Sequence, residues 1–342
     1  MTDAVKFAVL GIDHRHALML TQGLLTAGAQ IAGWWTAGHP NTLDDFRALL
    51  PDVRRADDRR TLLDDPSIDV VVIAAEVADR ADLAIEAMQS GKDVMSDKPG
   101  CNTLEQLERI RRTVAETGRI WSVFFSERFR IPSVAKARAL IEEGAIGRVV
   151  HYNALGPQRL YLNPRPEWFF DPARTGGILV DLMPHQFDNF IYLTGAGEVT
   201  VDSATVGNVN VPDHPGFEDF GEALFGAPGL RGYARVDWCT PGALPLNPGD
   251  GRITIMGTTG QIELRKFVDV AGRPGTNHLF LVNSDRCEHI DCAEFPTEDY
   301  YALFCEDVRN RTETAVGQEH IFTVMELSIR SQKAARRLAA SA

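Results

Sequence analysis

Three groups of residues carry side chains able to bind ligands or move protons. The first is Asp13, His14, Arg15 and His16 in "AVLGIDHRHALML", residues 8–20. It follows a short apolar run and precedes a helical pattern, and backbone N–H groups at such a helix start favour a phosphate. A glycine-rich phosphate cradle places Gly at three positions, but only Gly11 is present here, with Asp13 and His16 in the next two slots. The residues alone leave two readings open: a dinucleotide loop, or a plain strand-to-helix turn capped by Asp13. Asp13, His14 and His16 are all metal-ligand types, but they lack an open spacing such as HExxH. Adjacent side chains on a turn diverge, so no metal is expected there.

The second group is Lys98 in "SDKPG", residues 96–100. Pro99 restricts the residue before it to an extended conformation. A cation held in this way can bind a hydroxyl and stabilise an alkoxide; the alternative is a solvated lysine in a turn. The third group lies in "GGILVDLMPHQFDNF", residues 176–190. Asp181 and His185 are four apart and share a face if the segment is one helix. A neutral histidine can take an alcohol proton and a carboxylate can orient it. Pro184 must then sit in a first turn or kink the helix. The alternative is a capping Asp beside a half-buried His.

Short apolar strands and amphipathic helices must position these groups. "VKFAVLG", "AQIAGWW", "SIDVVVIAA", "DVMSDKPG" and "RIWSVFF" read as strands, and helical patterns separate them. One of those helices, "ADRADLAIEAMQSGK", ends at Gly91. This alternation predicts a Rossmann-type doubly wound parallel sheet, an α/β fold, over residues 1–124. From residue 125 the rhythm changes. After "SVAKARALIEEG" come "GRVVHYNAL", "EVTVDSATVGN", "DFGEALF", "LRGYARVDWC", "GRITIMG" and "QIELRKFV", and a helix in "EHIFTVMELSIRSQKAARRLA" closes the chain. Residues 125–342 therefore read as an α+β domain with a large, mostly antiparallel open-faced sheet. "CTPGALPLNPGDG", residues 239–251, reads as a long loop.

Composition narrows the partners. The chain has 342 residues, 44% hydrophobic and 24% charged, which fits a globular protein of two domains. Its formal net charge of −12 argues against nucleic acid or an anionic membrane as partner. There is no basic region followed by a long apolar stretch at the start, and no 18-residue apolar run anywhere, so no leader and no spanning helix are expected. The five cysteines are odd in number and scattered, as reduced thiols in a cytoplasm would be.

The ordered set of motifs resembles the Gfo/Idh/MocA family of NAD(P)-dependent sugar and polyol oxidoreductases. "GKDVMSDKPGCNTLEQLERI" is similar to its Gly-Lys-x-Val…Glu-Lys-Pro block, and "SERFRIPSVAKARALIEEGAIGRVV" to the entry into its second domain. "DPARTGGILVDLMPHQFDNFIYLTG" carries its paired glycines and Asp-x3-His-x2-Asp spacing as Asp181, His185 and Asp188, and "GRITIMGTTGQIEL" resembles its late hairpin. By this resemblance, Lys98 contacts the reacting hydroxyl, His185 is the general base, Asp181 binds substrate or steers His185, and the Lys98–Pro99 peptide is cis. The cofactor residues are Gly11, Ile12, Asp13, His14, Arg15, Thr36, Ala75, Glu76, Asp97 and Lys98. Candidate substrate residues are Arg128, His151, Arg159, Tyr161, Trp168, Asp213, His214 and Trp238. The family also implies a homodimer or homotetramer formed through the second-domain sheet.

The departures fall on the cofactor half. Asp13 and His16 replace glycines, Asp97 replaces a glutamate, and Ala75, Glu76, Val77 and Arg80 replace a Thr-Pro-Asn…His run. A carboxylate at Asp13 opposes a pyrophosphate unless it turns away to cap the helix or to accept from Arg15 or His16. Thr36 stands where NAD-specific sites have an acid, with His39 nearby and no Arg following. NADP is thus favoured over NAD. The leading reading is an oxidoreductase moving hydride between a nicotinamide and a sugar, polyol or inositol-like carbon. The alternatives are a redox-neutral NAD-dependent lyase or glycosidase, and an inactive protein of the same fold that senses a nucleotide or sugar.

Overall fold

A computed structural model describes residues 4–160, 165–245 and 248–338. The chain forms two compact units. One comprises residues 1–124, 173–175 and 299–326, and the other residues 125–172, 176–298 and 327–342.

The first unit opens with β1 (Lys6–Leu10), α1 (His16–Thr26), β2 (Gln30–Trp35), α2 (Leu43–Leu49), α3 (Arg60–Leu63) and β3 (Val70–Ile73). It continues through α4 (Val77–Gln89), β4 (Asp93–Ser96), α5 (Leu104–Thr117) and β5 (Trp121–Val123). The five strands are parallel in the order β2-β1-β3-β4-β5. All four residues of β3 and of β4 are buried, as expected when helices cover both faces of a parallel sheet. From β1 the chain winds outward to β2, then returns to β3 on the other side. That reversal makes the carboxyl ends of β1 and β3 the topological switch point, the place where doubly wound sheets bind ligands. Helix α4 ends at the predicted Gly91, which has φ +81°.

The second unit contains α6 (Ser126–Arg130), α7 (Pro132–Glu142), β6 (Val149–Pro157) and a 3₁₀ turn at Glu167–Phe170. Next come α8 (Pro172–Thr175), whose last three residues count with the first unit, then α9 (Ile178–Asp181) and α10 (Pro184–Thr194). Strands β7 (Thr200–Gly207), β8 (Phe220–Ala227), β9 (Leu230–Asp237), β10 (Arg252–Gly257), β11 (Gly260–Arg265), β12 (His278–Asn283) and β13 (Cys287–Asp291) follow. The chain ends with α11 (Tyr300–Asn310), α12 (Gln318–Ala334) and the short β14 (Arg336–Arg337). The sheet order is β13-β12-β11-β10-β6-β9-β8-β7-β14, antiparallel except at β6–β9 and β7–β14. Its inner face packs on α10: Phe187 and Phe190 each lie 4.9 Å from Phe225, and Phe190 lies 5.4 Å from Tyr152. The outer face is mixed, with Leu224, Met256 and Val282 exposed.

The doubly wound sheet, the open-faced sheet and the β10–β11 hairpin match the sequence expectations. Strands β12 and β13 do not, because no strand is expected there from the sequence. β13 is a polar edge strand, "CEHID", with no buried alternation to reveal it. Among the described residues no helix is long and apolar enough to cross a membrane, and all five cysteines are free.

Gly11 closes the turn after β1 at φ +76°, and a Cβ there would lie 2.4 Å from the Cβ of Ala75. Gly11→Ala therefore combines backbone strain with a steric clash and should cost about 2–4 kcal/mol. Denaturant unfolding measures this, and an unchanged midpoint would show that the turn is not closed as described.

Candidate functional site

In the first unit the chemistry gathers around one carboxylate. Asp97 is buried just past the end of β4. Its Oδ2 accepts from Arg80 Nη2 at 2.9 Å and pairs with His14 Nδ1 at 2.7 Å, while Oδ1 pairs with His16 Nδ1 at 2.8 Å. Arg80 is itself 1% exposed. It also donates to the carbonyls of Ala75 (2.8 Å), Asp97 (3.1 Å) and Pro99 (2.8 Å). One guanidinium thus grips both sides of Lys98, whose peptide to Pro99 is cis and whose side chain is largely buried. Burial works against a charged Asp97, but Arg80, His16 and His14 outweigh it and hold the carboxyl well below its usual range. For His14, burial and then His16 push the imidazole down to about 4.

This geometry corrects several expectations. His14 and His16 do not diverge. Asp97 draws their rings to a centroid distance of 4.3 Å. Asp13 does not cap α1, because Arg15 holds the N-cap position and no side chain caps it. Nor do Arg15 and His16 turn to Asp13: Arg15 pairs with exposed Asp45 at 2.7 Å and His16 with Asp97. Burial and then Glu76 push Asp13 up to about 6. Glu76 itself binds Arg174 of α8 through Nε at 2.6 Å. Ile12 is buried, and its carbonyl accepts from Thr42. At the end of β2, Thr36 is buried, and an arginine is present after all. Arg55 Nη2 donates to the Thr36 and Gly38 carbonyls at 3.1 and 3.3 Å, with its guanidinium 5.5 Å from the Trp34 ring. It comes from the segment between α2 and α3, so no sequence neighbour of Thr36 discloses it.

In the second unit, Asp181 and His185 do not share one helix. Asp181 ends α9, Leu182 is its C-cap, and Pro184 begins α10 with His185 in the first turn. Pro184 has no N–H to offer an interior turn, so the break falls where its missing donor costs nothing. His185 is buried, and beside it runs a charged network that the sequence analysis missed. Glu127 Oε2 accepts from Lys266 Nζ at 2.7 Å and from Asn189 Nδ2 at 2.7 Å. Burial opposes its ionisation, but Lys266 and then His185 hold Glu127 below the usual range. Arg128 lies 3.5 Å from buried Asp188 and stacks over Phe129 and Tyr192.

The candidate substrate residues separate. Trp168 packs on Phe169, Phe169 packs on Trp238, and His214 stacks on Phe170 at 3.8 Å. Arg165, another residue missed, lies 4.6 Å over Phe169 and 4.9 Å over Trp238, and burial lowers its pKa against the opposing charge of Asp181. These residues form one aromatic and cationic wall, with Asp213 adjacent in sequence. Arg159 instead donates to the Leu244 carbonyl at 2.6 Å in the long loop. His151 neighbours Tyr152 on β6 and so projects from the opposite face of the sheet to the one on α10. Tyr161 lies outside the described residues.

A doubly wound parallel-sheet domain, joined in one chain to a domain built on a large open-faced sheet, defines the class. Residues 5–125 match the oxidoreductase family, NAD-binding Rossmann fold, and residues 134–263 match the GFO/IDH/MocA C-terminal domain. The chain belongs to the Gfo/Idh/MocA oxidoreductase family. It is 40% identical to a protein of Erwinia carotovora atroseptica SCRI1043 known from a crystal structure, with a TM-score of 0.94 over 98% of this chain and 100% of that one. It is 33% identical to scyllo-inositol 2-dehydrogenase (NAD(+)) of Bacillus subtilis (strain 168), over 49% of this chain and 46% of that protein. It is also 33% identical to levoglucosan dehydrogenase of Pseudarthrobacter phenanthrenivorans, over 53% of this chain and 47% of that protein. The chain thus spans about half the length of these curated relatives.

Removing one member of a buried ion pair leaves the other uncompensated and costs about 3–5 kcal/mol. Arg80→Met should lose that much stability, and Asp97→Asn in the same background should cost much less than it does alone. A double-mutant cycle by urea unfolding checks this. Additive losses would show that the pair is not coupled.

Proposed function

We propose that this protein is an NAD(P)-dependent dehydrogenase acting on a CH–OH carbon of a sugar, polyol or inositol-like substrate. The observation that carries the reading is Lys98, held just beyond the carboxyl end of β4 by the Arg80–Asp97 clamp on the ligand-binding edge of the doubly wound sheet. The first unit suits a dinucleotide: it has the tight Gly11 turn after β1, a helix start that no side chain caps, and the strand-order reversal between β1 and β3. The nicotinamide supplies the hydride acceptor in oxidation and the donor in reduction.

The protein's own groups do the rest. In the oxidation direction the role assigned to His185 is to accept the hydroxyl proton, and the role assigned to Lys98 is to stabilise developing negative charge. The Glu127 carboxylate near His185 favours the imidazolium that results. Asp181 tunes Arg165 at the aromatic wall, where sugar faces can stack and hydroxyls find donors. The substrates named for the inositol and levoglucosan relatives belong to the same polyhydroxylated class. Arg55 beside Thr36 favours NADP, because it puts a cation where the adenine ribose of a dinucleotide lies in this fold.

Lys98→Ala and His185→Asn should each lower kcat by about 10²- to 10⁴-fold, with little change in nucleotide affinity. Steady-state kinetics on a sugar and polyol panel, paired with NADPH fluorescence titration, tests this, and near wild-type turnover in either variant would remove its assigned role. NADPH should bind at least as well as NADH, and Arg55→Ala should weaken NADPH about tenfold while sparing NADH. A clear NADH preference in the unaltered protein would overturn the cofactor assignment.

A further inference from the structure

The proposed proton and hydride steps use neither His14, expected only to line the cofactor, nor His16, yet both imidazoles pair with one buried carboxylate. We propose that His14, His16 and Asp97 form a binding site for a divalent first-row transition metal of the zinc class, with Arg80 as the outer partner that fixes the carboxylate. One ligand atom from each of the three residues can be chosen so that all lie within 4.8 Å of one another. Metal–ligand bonds near 2.0–2.2 Å put tetrahedral neighbours about 3.3–3.5 Å apart, so each side chain needs to shift by roughly 1 Å. Imidazole nitrogen with carboxylate oxygen is a donor set that suits zinc and its neighbours.

The backbone holds the set in place. His14 N–H donates to the Ala74 carbonyl at 2.9 Å, and Asp97 N–H donates to the Ile73 carbonyl at 2.8 Å. The two segments that carry the ligands are therefore tied to consecutive carbonyls at the end of β3. Arg80 makes three further bonds to backbone carbonyls, which fixes its position independently of any ion. Ligating carboxylates are commonly hydrogen-bonded by outer groups in this way. Its positive charge offsets that of Asp97, so the ion meets less net negative charge than two histidines and an uncompensated carboxylate would offer. With neutral imidazoles, each Nδ1–H donates to Asp97. Coordination through Nδ1 puts that proton on Nε2, so no proton has to leave. Three protein ligands leave a tetrahedral ion one open position, which an oxygen ligand can take.

The test uses the full-length protein, freed of any affinity tag and stripped with chelator, with no nucleotide or substrate present. Failure of the site is thereby separated from failure of the dehydrogenase reading. Calorimetric titration with Zn²⁺ should show one saturable equivalent, and Co²⁺ should give visible d–d absorption. His14→Gln and His16→Gln should each weaken binding at least tenfold. The His16 side chain is 36% exposed, so its variant should keep the wild-type circular dichroism and melting temperature. Cys287→Ser and His289→Ala, altering an exposed thiol and a histidine of the β12–β13 edge, should leave binding unchanged. Absence of a saturable equivalent, or binding that survives both His14→Gln and His16→Gln, or binding lost with Cys287 or His289, would overturn the proposal.

Discussion

The ion pair between Arg80 and Asp97 is the constraint on which the first unit's functional edge depends. Both groups are almost fully buried, and neither could be charged there alone. Together they join three separate stretches of chain. Asp97 receives His14 and His16 from the loop after β1, and Arg80 reaches from α4 to the carbonyls around Lys98. The short Asp side chain matters to this. It keeps the carboxylate close to its own backbone, so one guanidinium can bond both the Asp97 carbonyl and the Asp97 carboxylate. A lysine in place of Arg80 has no fork with which to do both.

The second unit solves the same problem with other residues. Glu127 is buried, and Lys266 and Asn189 share one of its oxygens. The pair sits next to α10, whose first turn carries His185. In each unit a residue proposed for proton or charge chemistry is therefore flanked by a compensated carboxylate. Such sites keep a fixed electrostatic environment, because the compensating groups come from packed elements and do not reorient when charge moves.

The sequence by itself determined the class and order of most elements up to β11, but not β12, β13 or α11. Apolar runs at β1, β3 and β4, separated by helical periods, admit few arrangements other than a parallel sheet with helices on both faces. Alternating strands after residue 125 likewise require a sheet with one wet face. The ordered Lys-Pro and Asp-x3-His motifs single out Lys98 and His185 as candidates, because local spacing is all that those motifs need. Tertiary structure alone decided which charges meet. Arg80 reads in the sequence as the loss of a histidine, and only its return to Asp97 over 17 residues makes it a clamp. Lys266 reaches Glu127 across 139 residues, and the Arg55 guanidinium reaches the Thr36 carbonyl across 19. Long-range buried ion pairs carry no periodicity along the chain, unlike a helical pair such as Arg138–Glu142. Their partners are set by where packed helices and strands leave a buried charge that must be compensated, and no spacing rule encodes that. The same reason explains why a turn expected to splay His14 and His16 apart brings them together: the group that gathers them lies 83 and 81 residues away.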